Sequence, residues 1–578
     1  MHVQKLMYVD PRRPFPRKFV PADADMGNWE QIEPLFTRLI ERRPGTVEEL
    51  EQWLYDGSEL SSVIAEERTK RYIAMTMQTD DPAREAAYLH FVEEIDPKVK
   101  PLWQTVESAY LNNPLRRRLS KDRYAIFDRI VETNVSLFRD ENVPLETQED
   151  LLNKEYQKLT GAMTVSYQGN ELTLQQAGKH LEEPDRQVRQ DVWELVANRR
   201  LQDKDKMEDL YDQLIELRGR IARNAGFGNY RDYAFKRRRR FDYTPEDCFR
   251  FHEGVERAVL PVVRSIMENR RHKLKVDRLR PWDLQVDPLN RPPLRPFGSA
   301  DELVRGTHEI FNRVDPELGA QFQFMADERL LELESRKGKA PGGYQSTLHE
   351  RRWPFIFMNA VGRDDDIRTL LHEGGHAFHM LAARAEPIIY YRHAPLEFAE
   401  VASMGMELLA APHLGVFYTN PDEFRRSYTN TLHDTVLILP WVATIDAFQH
   451  WVYTHPGHSR EERKRAWLEI FDRFNTLVDW TGYDAARAYR WHAQLHLFLV
   501  PFYYIEYGIA EIGALQVWVQ SRRNHRDAVE RYWQALALGG SRPLPELFAA
   551  AGAKFRFDEE TVKPLMEAVE EELATLEN

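Results

Sequence analysis

The chain has 578 residues, of which 42% are hydrophobic and 30% charged, so it can bury a large core and is not a disordered polymer. Its 79 basic and 92 acidic side chains give a net charge of −13, which argues against a general nucleic-acid binder. The single cysteine, Cys248, excludes an intramolecular disulfide framework and a thiolate-rich zinc knuckle. No apolar run approaches the roughly 20 residues of a membrane helix, and no signal peptide is evident. We therefore expect a cytoplasmic protein without membrane contact.

Helical spacing of apolar residues dominates the first 190 residues. An exception is the stretch from Met163 to Leu174, where alternation predicts a short hairpin that turns through Gly169-Asn170. Long helices resume from about residue 176 to 275. They include the basic run from Lys236 to Arg240, which we interpret as a solvated or acid-paired helix face; the alternative is a site for an anionic ligand.

The character of the chain changes after this helical part. The proline-rich passage from Arg278 to Phe297 predicts an irregular segment laid over the surface. The short apolar run from Trp353 to Val361, bounded by Pro354 and Gly362, predicts a buried strand. From Asp364 onwards the pattern is helical to the C-terminus.

One helix carries a pattern typical of metal binding. Three aspartates at 364–366 predict its start, and His372-Glu373-Gly374-Gly375-His376 follows. Histidines four residues apart lie one turn apart on one face, so both imidazoles can reach one cation. Glu373 is offset by about 100° and can face a water on the metal. The alternative is a pair of histidines packed in a helical core.

The next predicted helix supplies a third ligand. Glu400, Ser403 and Glu407 share one of its faces, and Glu400 lies 400 − 372 = 28 residues after the first histidine, which leaves room for a turn between two antiparallel helices. A zinc site with an open position needs such a third ligand. Glu407 could accept the second N–H of a ligand histidine, or lie on a solvated helix face.

Other metal classes fit the sequence less well. A metzincin needs glycine at 379 and histidine at 382, where this chain has His379 and Ala382. The inverted order His-x-x-Glu-His is absent, and a di-iron bundle lacks its second Glu-x-x-His pair. Because three ligands from one helix would strain a tetrahedral site, we assign His379 to the second coordination shell or to substrate contact.

Two glycines inside the metal helix are unfavourable for helix formation, by about 1 kcal/mol each relative to alanine. We therefore expect another backbone, of the strand or of the substrate, to approach Gly374 and Gly375 closely. On this view, Gly375→Leu reduces activity and leaves the zinc content intact.

The motifs together resemble a known family. Leu371 to His379, then Phe398 to Ser403 and Glu407, are similar to the thimet oligopeptidase and oligoendopeptidase F family of zinc peptidases, closest to the oligoendopeptidase F branch. The likeness spans roughly residues 190 to 560. It also includes these segments: Arg223–Tyr230, Lys337–Tyr344, Pro354–Asn359, His496 and Pro501–Tyr507.

The resemblance implies a mainly α fold, a large helical ellipsoid with a deep substrate channel and a small β-sheet next to the zinc-binding helix. We expect an N-terminal helical domain over residues 1–190 and a catalytic domain over 191–578, with its sheet around 338–362. The family implies one Zn²⁺ per chain, held by His372, His376 and Glu400, with Glu373 as general base. Edge pairing with Phe355 to Asn359 would hold the substrate backbone. The implied substrate-binding residues are Gly342, Gly343, Tyr344, Phe357 and Asn359.

The implied function is a zinc-dependent oligopeptidase that hydrolyses internal bonds of short unstructured peptides through a metal-activated water. His496 and Tyr507, with Tyr503 or Tyr504, are the expected donors to the tetrahedral intermediate; core packing is the alternative for the tyrosines. We expect a monomer or weak homodimer. A second hypothesis is a non-catalytic peptide-binding scaffold with a structural zinc, against which Glu373 argues because a closed site needs no acid beside a water.

Overall fold

The computed structural model describes residues 9–475 and 477–577, and most of these residues are helical. The predicted mainly α class with small sheets is confirmed. Residues 1–8, from which the expectation about a signal peptide partly derives, lie outside the described residues. In the part of the chain that is described, no helix combines the length and the apolar character needed to cross a bilayer.

Helices account for most of the regular structure, and the strands form two small groups between them. The helices are α1 (Trp29–Glu41), α2 (Val47–Met77), α3 (Pro82–His90), α4 (Asp96–Asn112), α5 (Lys121–Leu137), α6 (Val143–Gly161), α7 (Leu174–Gly178), α8 (Arg186–Gln202), α9 (Lys204–Asn224), α10 (Tyr230–Arg237), α11 (Pro245–Gly254), α12 (Leu260–Leu274), α13 (Ala300–Val314), α14 (Pro316–Asp327), α15 (Asp364–Ala383), α16 (Leu396–Ala410), α17 (Pro421–Thr454), α18 (Arg460–Phe474), α19 (Asp484–Ala488), α20 (Leu495–Leu499), α21 (Ile505–Arg523), α22 (His525–Ala537), α23 (Leu544–Ala550) and α24 (Glu559–Glu577). The strands are β1 (Thr164–Tyr167), β2 (Asn170–Thr173), β3 (Leu331–Glu334), β4 (Tyr344–Leu348) and β5 (Trp353–Ala360).

The chain divides into two compact units, each assembled from three stretches of sequence. The first comprises Met1–Val135, Leu294–Thr431 and Ala510–Phe555; the second comprises Ser136–Pro293, Leu432–Ile509 and Arg556–Asn578. These units have no boundary at residue 190, and the predicted division between residues 190 and 191 stays a prediction.

In the first unit, three strands form a sheet in the order β3-β5-β4. The central strand β5 runs parallel to β3 and antiparallel to β4. The buried strand predicted from Trp353 is therefore confirmed. Strand β4 pairs with β5 only as far as Phe357, and β3 pairs with Ile356, Phe357 and Ala360, so both hydrogen-bonding sides of β5 are occupied at Ile356 and Phe357. Pairing of a peptide is excluded there and stays a prediction for Met358 and Asn359. The two outer strands are β3 and β4.

Helix α15 packs on β5 and on α16. A Cβ at Gly375 would lie 2.4 Å from the carbonyl oxygen of Ala402 and 2.6 Å from the Cα of Ser403, so the absence of a side chain lets the two helix backbones approach closely. The predicted close approach occurs, but the approaching backbone belongs to α16, not to the strand or a substrate. At Gly374 the close neighbour is the ring of Phe311, 2.6 Å from such a Cβ.

The second unit contains the predicted hairpin. Strands β1 and β2 pair antiparallel. The turn between them lies one residue earlier than predicted, with positive φ angles of 52° at Gln168 and 81° at Gly169, as a two-residue hairpin turn requires. The basic run is acid-paired: Arg238 lies 3.4 Å and Arg240 3.1 Å from Glu506 Oε1. Arg240 is buried, so this part of the run is not a solvated face.

Candidate active site and metal centre

The metal helix begins immediately after the central strand. The carboxylate of Asp366 accepts hydrogen bonds of 2.8 Å from the backbone N–H groups of Val361 and Arg363, and so satisfies donors at the N-terminus of α15. One turn of this helix separates His372 from His376. Their ring centroids are 4.9 Å apart with an interplanar angle of 85°.

Glu400 on α16 meets both imidazoles. Its Oε2 lies 3.4 Å from His372 Nε2 and 3.6 Å from His376 Nε2, and ligand atoms of all three residues lie within 4.8 Å of one another. Zinc bonds of about 2.0–2.1 Å at tetrahedral angles place two nitrogen or oxygen ligands about 3.4 Å apart. The donor set and its spacing therefore fit Zn²⁺ with three protein ligands and one further position.

Two neighbours on α16 orient these ligands. The Nδ1 of His372 donates to Glu407 Oε1 at 2.7 Å, which fixes the ring so that its Nε2 faces Glu400 Oε2. The buried hydroxyl of Ser403 donates to Glu400 Oε2 at 2.9 Å. Glu407 was a sequence prediction. Ser403 was noted only for sharing the helix face with Glu400, at a spacing of three residues.

Burial and charge set the protonation of the three candidate ligands. Burial opposes ionisation of Glu400, but the hydrogen bond from His372 and the charges of both histidines outweigh it and lower its pKa to about 2. Burial lowers the pKa of His376 to about 4, so that ring is neutral at pH 7. Burial also lowers the pKa of His372, but hydrogen bonds to Glu400 and Glu407 outweigh it and raise the pKa well above its ordinary value.

Glu373 is buried on the same helix as the two histidines. Burial raises the pKa of its carboxyl to about 7, although the charge of His372 and a hydrogen bond with the backbone of Gln345 lower it. Gln345 belongs to β4, so this acid lies against the outer strand of the sheet.

His379 lies one turn beyond His376, but it is not one of the three residues whose ligand atoms converge. It is 5% exposed and packs edge-on against Phe398, with ring centroids 6.1 Å apart. Among the described residues its Nε2 has no hydrogen-bond partner. His379 is as buried as Glu400, and its assignment to the second coordination shell or to substrate contact stays a prediction.

The predicted substrate-binding residues divide into exposed and buried ones. Gly342 and Gly343 are exposed, and Gly342 adopts a positive φ of 94°. Phe357 is fully buried, and its ring is stacked on that of Tyr344 with centroids 4.8 Å apart, so its side chain supports Tyr344; its part in substrate binding stays a prediction. Asn359 donates to the Gly342 carbonyl at 2.8 Å and thereby holds the glycine turn.

Tyr344 begins β4 and is partly exposed. Its hydroxyl lies 2.6 Å from the hydroxyl of Thr76 on α2, which fixes the ring at the start of the outer strand. Sequence reasoning did not identify Thr76, since no local pattern connects positions so far apart.

The second unit gathers the four aromatic residues that the resemblance singles out. The ring of His496 lies 5.8 Å from Tyr503, 4.8 Å from Tyr504 and 6.0 Å from Tyr507, measured between centroids. The four rings form one cluster within this unit. Their participation in catalysis stays a prediction.

Gln494, which sequence reasoning missed, determines the tautomer of His496. The indole of Trp441 donates to Gln494 Oε1 at 2.9 Å, so the amide nitrogen faces the ring and donates to His496 Nδ1 at 2.7 Å. Burial lowers the pKa of His496 to about 4. The neutral imidazole therefore carries its proton on Nε2, where it can be donated.

Two arginines of the basic run hold the segment that leads into the tyrosines. Arg238 Nε donates to the carbonyl of Pro501 at 3.0 Å, and Arg240 donates to the carbonyl of Phe502. The guanidinium of Arg238 also lies 5.3 Å from the ring centroid of Tyr503. These contacts give the run a structural role within the second unit.

Comparison with known proteins finds related peptidases. Residues 179–568 match the model of peptidase family M3, and residues 19–138 match the peptidase M3 N-terminal domain. An oligoendopeptidase F homolog of Borreliella burgdorferi is 26% identical over 306 residues, which cover 50% of this chain and 49% of that protein. Oligopeptidase PepF of Bacillus subtilis is 23% identical over 407 residues, 69% of this chain and 58% of that protein.

Structural similarity extends further along the chain. A solved structure of PZ peptidase A with an inhibitor is 29% identical, with a TM-score of 0.88, covering 96% of this chain and 99% of that one. The matches to the two sequence relatives, by contrast, span about half of those proteins' lengths.

Proposed function

This chain belongs to peptidase family M3, and we propose that it is a zinc-dependent oligopeptidase that hydrolyses internal bonds of short, unstructured peptides. One observation carries the proposal. Ligand atoms of His372, His376 and Glu400 converge at the separations that tetrahedral zinc requires. The adjacent buried Glu373 supplies an acid that is not one of the three.

Zn²⁺ held by these three residues would act as a Lewis acid toward a peptide carbonyl and an attacking water. Glu373 takes the proton of that water and returns it to the leaving amine, the task of a positioned general base and acid. Glu407 and Ser403 keep His372 and Glu400 in the required orientation.

The substrate backbone is proposed to pair with β4. This strand is one of the two outer strands, and its Gln345 hydrogen-bonds Glu373. Addition of an extended peptide to an outer strand gives main-chain hydrogen bonds without demanding particular side chains. Gly342 and Gly343, which precede the strand, present exposed backbone. Such pairing suits peptides that have no fold of their own.

His496 and Tyr507, with Tyr503 or Tyr504, are proposed to donate hydrogen bonds to the tetrahedral intermediate. The proton on His496 Nε2, fixed by Gln494, supports this role for the histidine. Loss of one donor of this kind reduces turnover by about 10²–10³. Cytoplasmic location and a monomeric or weakly dimeric state remain predictions.

The alternative is a non-catalytic peptide-binding scaffold with a structural zinc. A structural zinc is closed by four protein ligands, whereas the cluster around Glu400 comprises three among the described residues. The buried Glu373 beside it also has no task in a closed site.

The test combines zinc content with cleavage of an internally quenched fluorescent peptide, before and after treatment with a chelator. We expect one catalytic zinc, loss of cleavage on its removal, and recovery on readdition. Glu373→Gln should abolish cleavage and keep the zinc, whereas Glu423→Gln, at an exposed glutamate of the same unit, should change neither. Unimpaired cleavage by Glu373→Gln would show that the peptidase proposal is wrong.

A further inference from the structure

A second cluster of metal-binding side chains lies in the second unit, on two helices that carry none of the residues described above as metal ligands. Cys248 and His252 are one turn apart on α11, and Asp446 and His450 are one turn apart on α17. Each helix thus presents a pair at the i, i+4 spacing that lets two side chains share one cation.

The cluster is buried and compact. The exposed fractions are 1% for Cys248, 3% for His252, 0% for Asp446 and 4% for His450. Ligand atoms of Cys248, Asp446 and His450 lie within 4.8 Å of one another. The distance from His450 Nε2 to Asp446 Oδ2 is 3.3 Å, close to the spacing of about 3.4 Å between tetrahedral zinc ligands.

Some polar atoms of the cluster lack a partner. Among the described residues, Asp446 Oδ1 and His450 Nδ1 make no hydrogen bond, although both side chains are buried. Buried polar atoms are nearly always satisfied, so each such atom requires an explanation. His252 Nε2 lies at hydrogen-bonding distance, 2.9 Å, from Asp446 Oδ2, which orients the carboxylate as an outer-shell histidine orients a ligand.

Aromatic rings surround the cluster. The ring centroid of His450 lies 4.9 Å from Phe249, 5.8 Å from Phe235 and 5.4 Å from Phe502. An apolar shell of this kind restricts access of water to a bound ion. Water has little access to this buried carboxylate between two histidines, so hydration alone does not explain how the carboxylate is satisfied.

We propose that Cys248, Asp446 and His450 form a second divalent-metal site, distinct from the proposed peptidase centre, and that His252 positions Asp446 within it. A thiolate, an imidazole and a carboxylate together favour Zn²⁺ over Mg²⁺ or Ca²⁺, which prefer oxygen ligands. Binding releases the thiol proton of Cys248 to solvent, because the thiolate is the ligand.

The role of this site is to stabilise the fold, with the aromatic rings around His450, and not a fourth protein ligand, closing it to substrate. The ion links α11 to α17 within the second unit, and a metal that binds the folded chain and not the unfolded one raises stability. The proposal does not depend on the peptidase function, because its ligands lie on other helices.

Cobalt provides a selective test, since Cys248 is the only cysteine of the chain. A thiolate-to-cobalt charge-transfer band in Co²⁺-reconstituted protein can therefore arise only at this residue. We expect the full-length chain to bind two Co²⁺ and to show the band. Cys248→Ser should lose the band and one Co²⁺, whereas His376→Ala should lose the other Co²⁺ and keep the band.

Asp446→Asn provides a second variant that retains the cysteine. It should weaken the band, and chelation should lower its melting temperature by less than it lowers that of the wild-type protein. Peptide cleavage per folded molecule should persist in Cys248→Ser. The proposal is overturned if wild-type protein saturated with Co²⁺ shows no thiolate band, or if chelation leaves the melting temperature of His376→Ala unchanged. Failure of peptide cleavage in the wild-type protein would instead count against the peptidase function alone.

Discussion

His372 Nδ1 donates a hydrogen bond of 2.7 Å to Glu407 Oε1, across the contact between α15 and α16. This bond fixes the tautomer of the ring and increases the basicity of its Nε2. If His372 binds zinc as proposed, Glu407 is also a determinant of metal affinity.

We expect Glu407→Gln to weaken zinc binding by about 10–100-fold, the usual effect of losing an outer-shell carboxylate. Titration against a competing chelator measures this affinity. Activity should recover at high zinc, because no group that touches the substrate has changed. Glu423→Gln is the matched control at an exposed site. An unchanged affinity in Glu407→Gln would show that the bond does not orient the ligand.

Gly375→Ala should reduce zinc affinity by about tenfold or more, since its Cβ would press on the backbone of the helix that carries Glu400. The sequence alone led us to expect intact zinc in Gly375→Leu; the position of α16 reverses that expectation. Gly405→Ala is the control, because a Cβ there meets its nearest atom, on Tyr532, at 3.4 Å. Equal zinc affinities in the two variants would contradict the argument.

His496→Ala and Tyr507→Phe should each lower kcat by about 10²–10³ with little change in KM or zinc content, if both groups act on the tetrahedral intermediate. Steady-state kinetics with the quenched peptide separates kcat from KM. A change confined to KM would assign these residues to ground-state binding instead.

Gln494→Glu should raise the pKa of His496 from about 4, because a carboxylate beside Nδ1 favours the imidazolium. The imidazolium form would then persist to higher pH, so we expect the acidic limb of the kcat–pH profile to move to higher pH. Gln494→Leu leaves the ring neutral and should not move it in that direction. NMR titration of His496 in both variants measures the shift directly, and equal pKa values would contradict the assigned contact.

Arg240→Met should lower the free energy of unfolding by about 1–3 kcal/mol, because the buried carboxylate of Glu506 loses the closer guanidinium and keeps that of Arg238. Lys236→Met, at the exposed start of the same basic run, should have little effect. Denaturant unfolding of the two variants provides the comparison. Similar losses of unfolding free energy in the two variants would mean that the buried ion pair between Arg240 and Glu506 adds no stability.

Local spacing was sufficient to predict which residues share a helix face. The four-residue step between His372 and His376, and the three-residue step from Glu400 to Ser403, translate directly into neighbours on a helix. The strand at Trp353 was predictable for the same reason, from a short apolar run between Pro354 and Gly362.

Relationships between distant segments were not predictable in this way. Strand β3 was not predicted from the sequence, so the central position of β5, with a strand on each side, could not be anticipated. Arg240 and Glu506 are separated by 266 positions, so a charge run that sequence patterns treat as surface proved to be partly buried. Gln494 contacts Trp441 and His496, and no helical or strand periodicity connects these three positions.

The most direct measurement of the central claim is anomalous diffraction at the zinc edge from crystals of the active, zinc-loaded protein. We predict an anomalous peak about 2.0–2.2 Å from His372 Nε2, His376 Nε2 and a carboxylate oxygen of Glu400. A protein that cleaves the peptide while its crystals show no anomalous density between these three side chains would contradict the account.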